Sequence, residues 1–297
     1  MNVYDSLNLN KVIDTKPDVT CIGAFDGVHL GHQALVKMAK SISFKYQILT
    51  FDPVPKKYFD NMHKLLTTKD MKLDILSKYE PDSVIVLNFE DVKDLSPQDF
   101  CNLLEKKLNT KSIVVGNDFK FGKNRQGDID FLIGYFGKSN VHVLNDYILN
   151  DSKISSTLIK STIKEGKLDL ANQYLGYLFK INGTVEHGNR IGHEIGYPTA
   201  NIKVDKNLIT PKFGVYEVVV KKDDKTYKGV MNIGNRPTVS NDLKLSYEVH
   251  ILNFDEEIYD SILEVEFVSF IRDEIKFESI EQLKNQIEID IKSIKNN

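Results

Sequence analysis

Thr20-Cys-Ile-Gly-Ala-Phe-Asp-Gly-Val-His-Leu-Gly-His-Gln-Ala-Leu-Val36 changes pattern twice within one short run. Its first residues, with Val19, form an apolar segment that predicts a short buried strand. Gly23 permits a tight bend with the backbone close to a ligand, and Asp26-Gly27 is a turn signal. From about Gly31 onward, Ala34, Leu35, Met38 and Ala39 recur at helical spacing. Strand, glycine-bearing turn and helix start together make an anion-binding device. The free N–H groups and the positive end of the helix dipole face whatever lies beyond the strand. His29 and His32 are three residues apart, so both can face that point and donate to a phosphate oxygen. The same pair could ligate zinc, but no spaced Cys/His cluster accompanies it.

Outward from this stretch, the first half alternates strands and helices. Tyr46–Phe51, Ser83–Leu87, Ser112–Gly116 and Val141–Leu144 read as strands. Thr68–Tyr79, Ser96–Leu108 and Ile129–Phe136 read as helices; Ser96 is the expected N-cap, with Pro97 at the first helical position. Such alternation predicts a mostly parallel sheet with helices on both faces, whose ligands bind beyond the carboxyl ends of the strands. Near Leu175–Phe179 the pattern changes. Short strands with period-2 alternation follow, among them Gly214–Lys221, Tyr227–Ile233 and Leu245–Leu252, and predict an antiparallel barrel or sandwich. The end is helical: Ser279 and Gln282 form a capping-box pattern, and Ile280, Leu283, Ile287, Ile291 and Ile294 make one apolar stripe expected to pack on the barrel. The expected fold class is therefore α/β plus β, in two domains spanning 1–175 and 176–297.

The chain has 297 residues, enough for two cores, with 39 basic and 42 acidic side chains. The near balance offers no sign of a nucleic-acid or membrane-surface partner. Only two cysteines occur, Cys21 and Cys101, which suits a reducing compartment. No basic segment followed by an apolar run opens the chain, and no stretch approaches the roughly 18–20 apolar residues of a membrane helix. A cytoplasmic protein is expected.

The combination Gly-x-Phe-Asp-Gly-x-His-x-Gly-His resembles the signature of HxGH nucleotidyltransferases, in the form found in bacterial bifunctional riboflavin kinase/FMN adenylyltransferases. The resemblance extends through several further motifs in family order. Val115-Gly-Asn-Asp-Phe-Lys-Phe-Gly122 is similar to the family's Val-Gly-x-Asp-Phe-Arg-Phe-Gly, with Lys120 in place of Arg. Lysine keeps the charge but loses the bidentate fork. Ile154-Ser-Ser-Thr-Leu-Ile-Lys160 resembles Ile-Ser-Ser-Thr-x-Ile-Arg, again with lysine for arginine. Taken alone, this segment is also a plain helix-capping sequence. In Thr50-Phe-Asp-Pro-Val-Pro55, Val54 stands where the family usually has His.

In the second half, Gly188-Asn-Arg-Ile-Gly-His-Glu-Ile-Gly-Tyr-Pro-Thr-Ala-Asn201 is similar to the riboflavin kinase signature, with His193 for Arg and Ile195 for Leu. Gly229–Thr238, Tyr247-Glu-Val-His-Ile-Leu252 and Arg272-Asp-Glu-Ile-Lys-Phe277 continue the resemblance; Asp260 replaces a typical Gly. Thr199 and Asn201 are two apart, so an extended chain turns both to one side, and their oxygens are hard ligands suited to Mg²⁺. Glu248 alternates with apolar Tyr247 and Val249 and so projects away from them.

The resemblance implies an enzyme that phosphorylates riboflavin to FMN and adenylylates FMN to FAD, with ATP as co-substrate and Mg²⁺ assisting. It implies catalytic roles for His29, His32, Lys160 and Glu248, the last as the base for the riboflavin hydroxyl. Gly23, Phe25, Asp26, Gly31, Ser155, Ser156 and Thr157 would serve ATP in the first domain, and Gly192, Gly196 and Pro198 in the second. Asp118, Phe121 and Arg272 would meet flavin, and Thr199 and Asn201 the Mg²⁺. Two alternatives stand beside this reading: an FAD synthetase with an impaired kinase domain, and a flavin-sensing protein without turnover.

Overall fold

A computed structural model describes residues 1–5, 17–187, 196–223, 225–237 and 243–295. The chain divides into two compact units, Met1–Ser156 and Thr157–Asn297.

The first unit is built on a parallel sheet of β1 (Asn2–Asp5), β2 (Val19–Ile22), β3 (Tyr46–Phe51), β4 (Ser83–Leu87), β5 (Ser112–Gly116) and β6 (Val141–Leu144). The spatial order is β1-β4-β3-β2-β5-β6. Every residue of β2, β3 and β4 is buried, which explains why these strands read as continuous apolar runs rather than alternating ones. Helices α1 (Leu30–Ile42), α3 (Lys69–Ser77), α5 (Pro97–Lys106) and α6 (Ile129–Phe136) connect them, with the short α2 (Pro55–Phe59) and α4 (Phe89–Val92) after β3 and β4. Ser96 caps its helix as the sequence suggests, and Thr68 and Asp128 act in the same way. Thr68, Ser96 and Asp128 each accept a hydrogen bond from the backbone N–H three residues on. A core of Ile22, Leu49, Ile85, Ile113 and Val115 packs with Leu104 and Leu132 from the helices. From β2 the chain steps to β3 on one side, whereas β5 pairs on the other. The carboxyl ends of β2 and β5 thus flank the point where strand order reverses, which is where open α/β sheets bind ligands.

A two-stranded hairpin, β7 (Ile148–Leu149) and β8 (Ser152–Lys153), leads to α7 (Ser156–Lys164) and α8 (Leu168–Leu175). The second unit is a closed antiparallel barrel of β9 (Lys180–Glu186), β10 (Ala200–Val204), β11 (Gly214–Lys222), β12 (Lys225–Pro237), β13 (Leu243–Ile251) and β14 (Ile262–Arg272), in the order β10-β13-β12-β11-β14-β9. Ile181, Tyr216, Val218, Met231, Ile233, Val249, Val265 and Phe267 are fully buried at its core. Asn172 on α8 ties this helix to the barrel: its Nδ2 donates to the Phe267 carbonyl (3.0 Å), and its Oδ1 accepts from the Phe179 N–H (2.7 Å).

The terminal helix α9 (Ile280–Lys295) lies on the barrel's outer face. Ile291 and Ile294 pack with Val215, Val230 and Leu252. The apolar stripe is only partly used, since Ile280 at its start is 62% exposed. Ser279 accepts from the Gln282 N–H, and the Gln282 amide oxygen accepts from the Glu278 N–H, one residue earlier than a standard capping box.

Candidate active sites

The loop after β2 is braced from several sides. The Gly23 N–H donates to the Leu49 carbonyl (3.1 Å). The Asp26 carboxylate accepts from the Leu66 N–H (2.7 Å), and the Gly27 N–H donates to Thr67 Oγ1 (3.1 Å). Asp26 is therefore a loop brace in this geometry. Gly27 has φ +83°, and a Cβ there would lie 2.5 Å from Leu66 Cδ1. Phe25 and Val28 also take positive φ, 52° and 35°, although neither is glycine. Strain of this kind persists where surrounding structure over-determines a functional loop. Phe25 is fully buried, so this residue shapes the loop from beneath rather than meeting a ligand with its ring.

Helix α1 begins at Leu30, with His29 as its N-cap; the His29 Nδ1 accepts from the His32 N–H at 3.4 Å. That bond leaves Nε2 of a neutral His29 as the ring's donor. The two rings stack, with centroids 3.7 Å apart. Gly31 makes room for this: a Cβ on it would sit 3.3 Å from the His29 ring. Burial pulls the His29 pKa down to about 4, against the opposing pull of Asp26. His32 lies well below the ordinary histidine range for the same reason, reinforced by His29 and Lys72, and its Nδ1 is buried with no hydrogen-bond partner. Both imidazoles are neutral donors near neutral pH.

Ser156 brings the Ile154–Ser156 segment to this loop, donating from Oγ to the Asp26 carbonyl (2.8 Å). Ser155 precedes it; Thr157 and Lys160 follow on α7, and Ser156 and Lys160 share a helix face. Asp118, after β5, is exposed, with Lys153 at 3.8 Å. Phe121 is buried in the core beside Phe100 and stacks on Phe119, so Phe119 and not Phe121 is the partly exposed ring of that motif. Lys120 is engaged by Asp128 at 3.1 Å. Val54 is buried as the N-cap of α2 and makes no side-chain cap bond. Beyond β3 and β4, Tyr58, Phe59 and Phe89 pack edge to face and leave Phe59 and Met62 largely exposed.

Sequence reading missed Lys72. It is 3% exposed, and its ammonium donates to Phe51 O (3.0 Å), Thr50 Oγ1 (3.1 Å) and Ala24 O (3.4 Å). The available signal was a lysine sharing the apolar face of α3 with Ile75 and Leu76.

In the second unit, strand register assembles a row. Asn201 lies opposite Glu248, Glu248 opposite Asn232, Asn232 opposite Val215, and Val215 opposite Arg272. Residues directly opposite in an antiparallel sheet share a face. Tyr247 and Val249 point into the barrel, whereas Glu248 is half-buried on the outer side, where Ser246 Oγ donates to it (2.9 Å). Asn232 was not singled out from sequence; its place beside Glu248 depends on pairing between β12 and β13. Arg272 is held by Asp290 of α9 through Nε and an Nη atom (3.0 and 2.7 Å). Thr199 immediately precedes β10, and the Pro198 carbonyl accepts from His250 Nδ1 (2.8 Å). Gly196 has φ +85°; Gly192 and His193 lie outside the described residues. A groove of about 720 Å³ is lined by Thr210, Pro211, Phe213, Leu245, Asp273 and Glu274. Among the described residues no group of three or more His, Cys, Asp or Glu could hold a metal ion.

The fold defines a two-unit protein of the α/β plus β class, with a strained loop at the switch point of a parallel sheet and a polar strand row on a closed barrel. An FAD synthetase family model matches residues 12–158, and a riboflavin kinase model matches 175–297. The bifunctional riboflavin kinase/FMN adenylyltransferase of Listeria monocytogenes is 39% identical over 281 residues, covering 92% of this chain and 90% of that one. The enzyme of the same name from Escherichia coli K12 is 35% identical over 280 residues, covering 91% and 89%. A solved Streptococcus pneumoniae protein described as a macrolide-efflux protein superposes with TM-score 0.91 at 28% identity, covering all of both chains. The chain belongs to the bifunctional riboflavin kinase/FMN adenylyltransferase family. Among the described residues no helix is long and apolar enough to cross a membrane.

Proposed function

We propose that this chain converts riboflavin to FMN in its second unit and FMN to FAD in its first, using ATP in both steps. In the kinase step Glu248 accepts the proton of the riboflavin 5′-hydroxyl, whose oxygen attacks the γ-phosphorus as ADP leaves. Thr199 and Asn201 fit Mg²⁺ by donor chemistry, since both offer neutral hard oxygens, and the metal when bound would neutralise phosphate charge. The Asn201–Glu248 register carries this reading. It sets the candidate base beside a candidate metal donor on one strand face. It also disfavours the impaired-kinase alternative. Gly196 and Pro198 border the same segment and would serve the nucleotide.

In the adenylyl step a phosphate oxygen of FMN attacks the α-phosphorus of ATP and pyrophosphate leaves. No proton acceptor is required, so the site's task is positioning and charge stabilisation. His29 and His32 donate to phosphate oxygens. The Gly23 and Gly31 backbones, with Ser155, Ser156, Thr157 and Lys160, hold the rest of the polyphosphate. The exposed Phe59 ring and the partly exposed Phe119 ring, backed by Phe121 from the core, offer apolar ledges for a flat tricyclic ring, with Asp118 beside the latter. Arg272 borders the riboflavin end of the kinase row while its guanidinium stays on Asp290.

We assign the adenylyltransferase to 1–175 and the kinase to 176–297. A cytoplasmic location suits the two buried free cysteines and the demand for ATP; burial raises both thiol pKa values, Cys101 to about 12. The deciding experiment is incubation of the chain with riboflavin, ATP and Mg²⁺, followed by chromatographic separation of riboflavin, FMN and FAD. Both products are expected in sequence. FAD from supplied FMN with no FMN from riboflavin would leave a monofunctional enzyme; flavin binding without product would leave a sensor.

A further inference from the structure

Lys72 presents an anomaly that loop bracing alone does not explain. A lysine this deeply buried is normally paired with a carboxylate. Among the described residues Lys72 makes no ion pair, and its three acceptors are two carbonyls and a hydroxyl. The surrounding charges are few. Asp26 faces it from the loop after β2 and Asp52 from the end of β3; Lys69 lies on its own helix, and His32 faces it from α1. The acceptors matter as much as the charge. Ala24 belongs to the Gly23–Val28 loop, and Thr50 and Phe51 end the neighbouring strand β3. Thr50 Oγ1 itself donates to the Ala24 carbonyl (3.1 Å). One ammonium thus joins the anion-binding loop to the sheet and leaves a positive charge beneath it without a direct counter-ion.

We propose that Lys72 is a positioning residue of the adenylyltransfer site: its buried ammonium fixes the Gly23–Val28 loop and supplies the positive potential that draws the phosphates of ATP onto it. The missing counter-charge is brought by the ligand. Burial lowers the lysine's pKa to about 8, so the charge is held weakly in the free protein. A bound polyanion favours the protonated form. Affinity for ATP in this unit therefore weakens as pH rises through about 8, where the free protein loses the proton.

The proposal rests on the adenylyltransferase reading, and the experiment separates the two. Full-length wild type, Lys72→Met and Thr50→Val are assayed for FAD formation from supplied FMN and for FMN formation from riboflavin. In Lys72→Met the KM for ATP in the adenylyl step should rise about ten-fold, the effect of roughly one charge acting at reduced dielectric, with a smaller change in kcat. FMN formation should stay at the wild-type rate. Thr50→Val weakens the brace but keeps the charge, and should leave that KM within about two-fold. The fall of kcat/KM for ATP above about pH 8 should be present in wild type and absent in Lys72→Met. If wild type makes no FAD, the functional reading fails. If wild type makes FAD while Lys72→Met keeps its KM and pH profile, or Thr50→Val matches Lys72→Met, Lys72 is a structural brace and the proposal fails. If Lys72→Met does not fold, the wild-type profile decides: no decline between pH 7 and 9.5 overturns the proposal.

Discussion

In the first unit the centre of the assigned phosphate site is withdrawn from water: a buried His29 stacked on a half-buried neutral His32, a strained loop and a buried ammonium. Of the other groups assigned to phosphate, Ser155, Ser156 and Lys160 are half-buried and Thr157 is exposed. In the second unit the assigned base stands half-exposed on an open strand face, flanked by amides and a serine hydroxyl. Under the proposed assignment the difference follows from the nucleophiles. An FMN phosphate is already anionic, so its site gains from dehydrated donors and needs no acceptor. A riboflavin hydroxyl is neutral, so its site needs a carboxylate that stays accessible. One cofactor pathway therefore places opposite electrostatic demands on two parts of one chain.

That contrast is most exposed to a test at Glu248. Glu248→Gln should slow FMN formation by about 10²–10⁴-fold, mainly in kcat, while FAD formation from FMN continues unchanged. An unaltered kinase rate would return Glu248 to an ordinary strand carboxylate. At the other site, His29→Ala and His32→Ala should each cost FAD formation on the order of 10²-fold, by loss of a preorganised donor, with the kinase rate preserved. Equal losses in both assays would mean that the two sites are not independent. A smaller effect is expected for Thr199→Ala and Asn201→Ala. Kinase activity should fall about ten-fold and be partly restored by added Mg²⁺, and titrating the metal in each variant and in Glu248→Gln distinguishes metal loss from base loss.

Stability probes sharpen the contrast further. Asn172→Ala strands the Phe179 N–H and the Phe267 carbonyl and should destabilise the second unit by about 1–3 kcal/mol, read from its denaturant midpoint. For the same reason a fragment starting at Tyr177 should make FMN and no FAD, yet melt below one starting at Thr157, which retains α8. The last probe concerns His29. Its folded pKa of about 4 lies below the unfolded value near 6.5, so the unfolded chain binds more protons between them. The first unit should lose stability as pH falls from about 6.5 to 4, and His29→Asn should flatten that slope in thermal melts.

Much of this organisation was legible in the residues. β3, β4, β5 and β6 run over the spans their apolar segments predict, and Thr68 and Ser96 cap the helices that follow them. The alternation around Glu248 gave its outward face. What escaped had physical reasons. β1 is a short edge strand whose pairing with β4 is long-range, and α2 and α4 are single turns with little periodicity. Lys72 defied the rule that charge marks a solvated face. The Asn232 neighbourhood was hidden because side-chain alternation tells which face a residue takes but not which strand lies beside it.

The closed barrel has a temporal consequence. β9, first to be synthesised, pairs with β14, the last strand, and with β10. Lys180 of β9 meets Glu264 of β14 across 84 residues, with the lysine buried. During synthesis that lysine waits, solvated, until almost the whole chain has emerged, because its partner is at the far end. The parallel sheet needs nothing beyond β6, so the adenylyl unit can be complete on the ribosome while the kinase unit is still an open ribbon. Under the proposed assignment, a nascent chain halted before β14 would already hold the second enzyme of the sequence and none of the first.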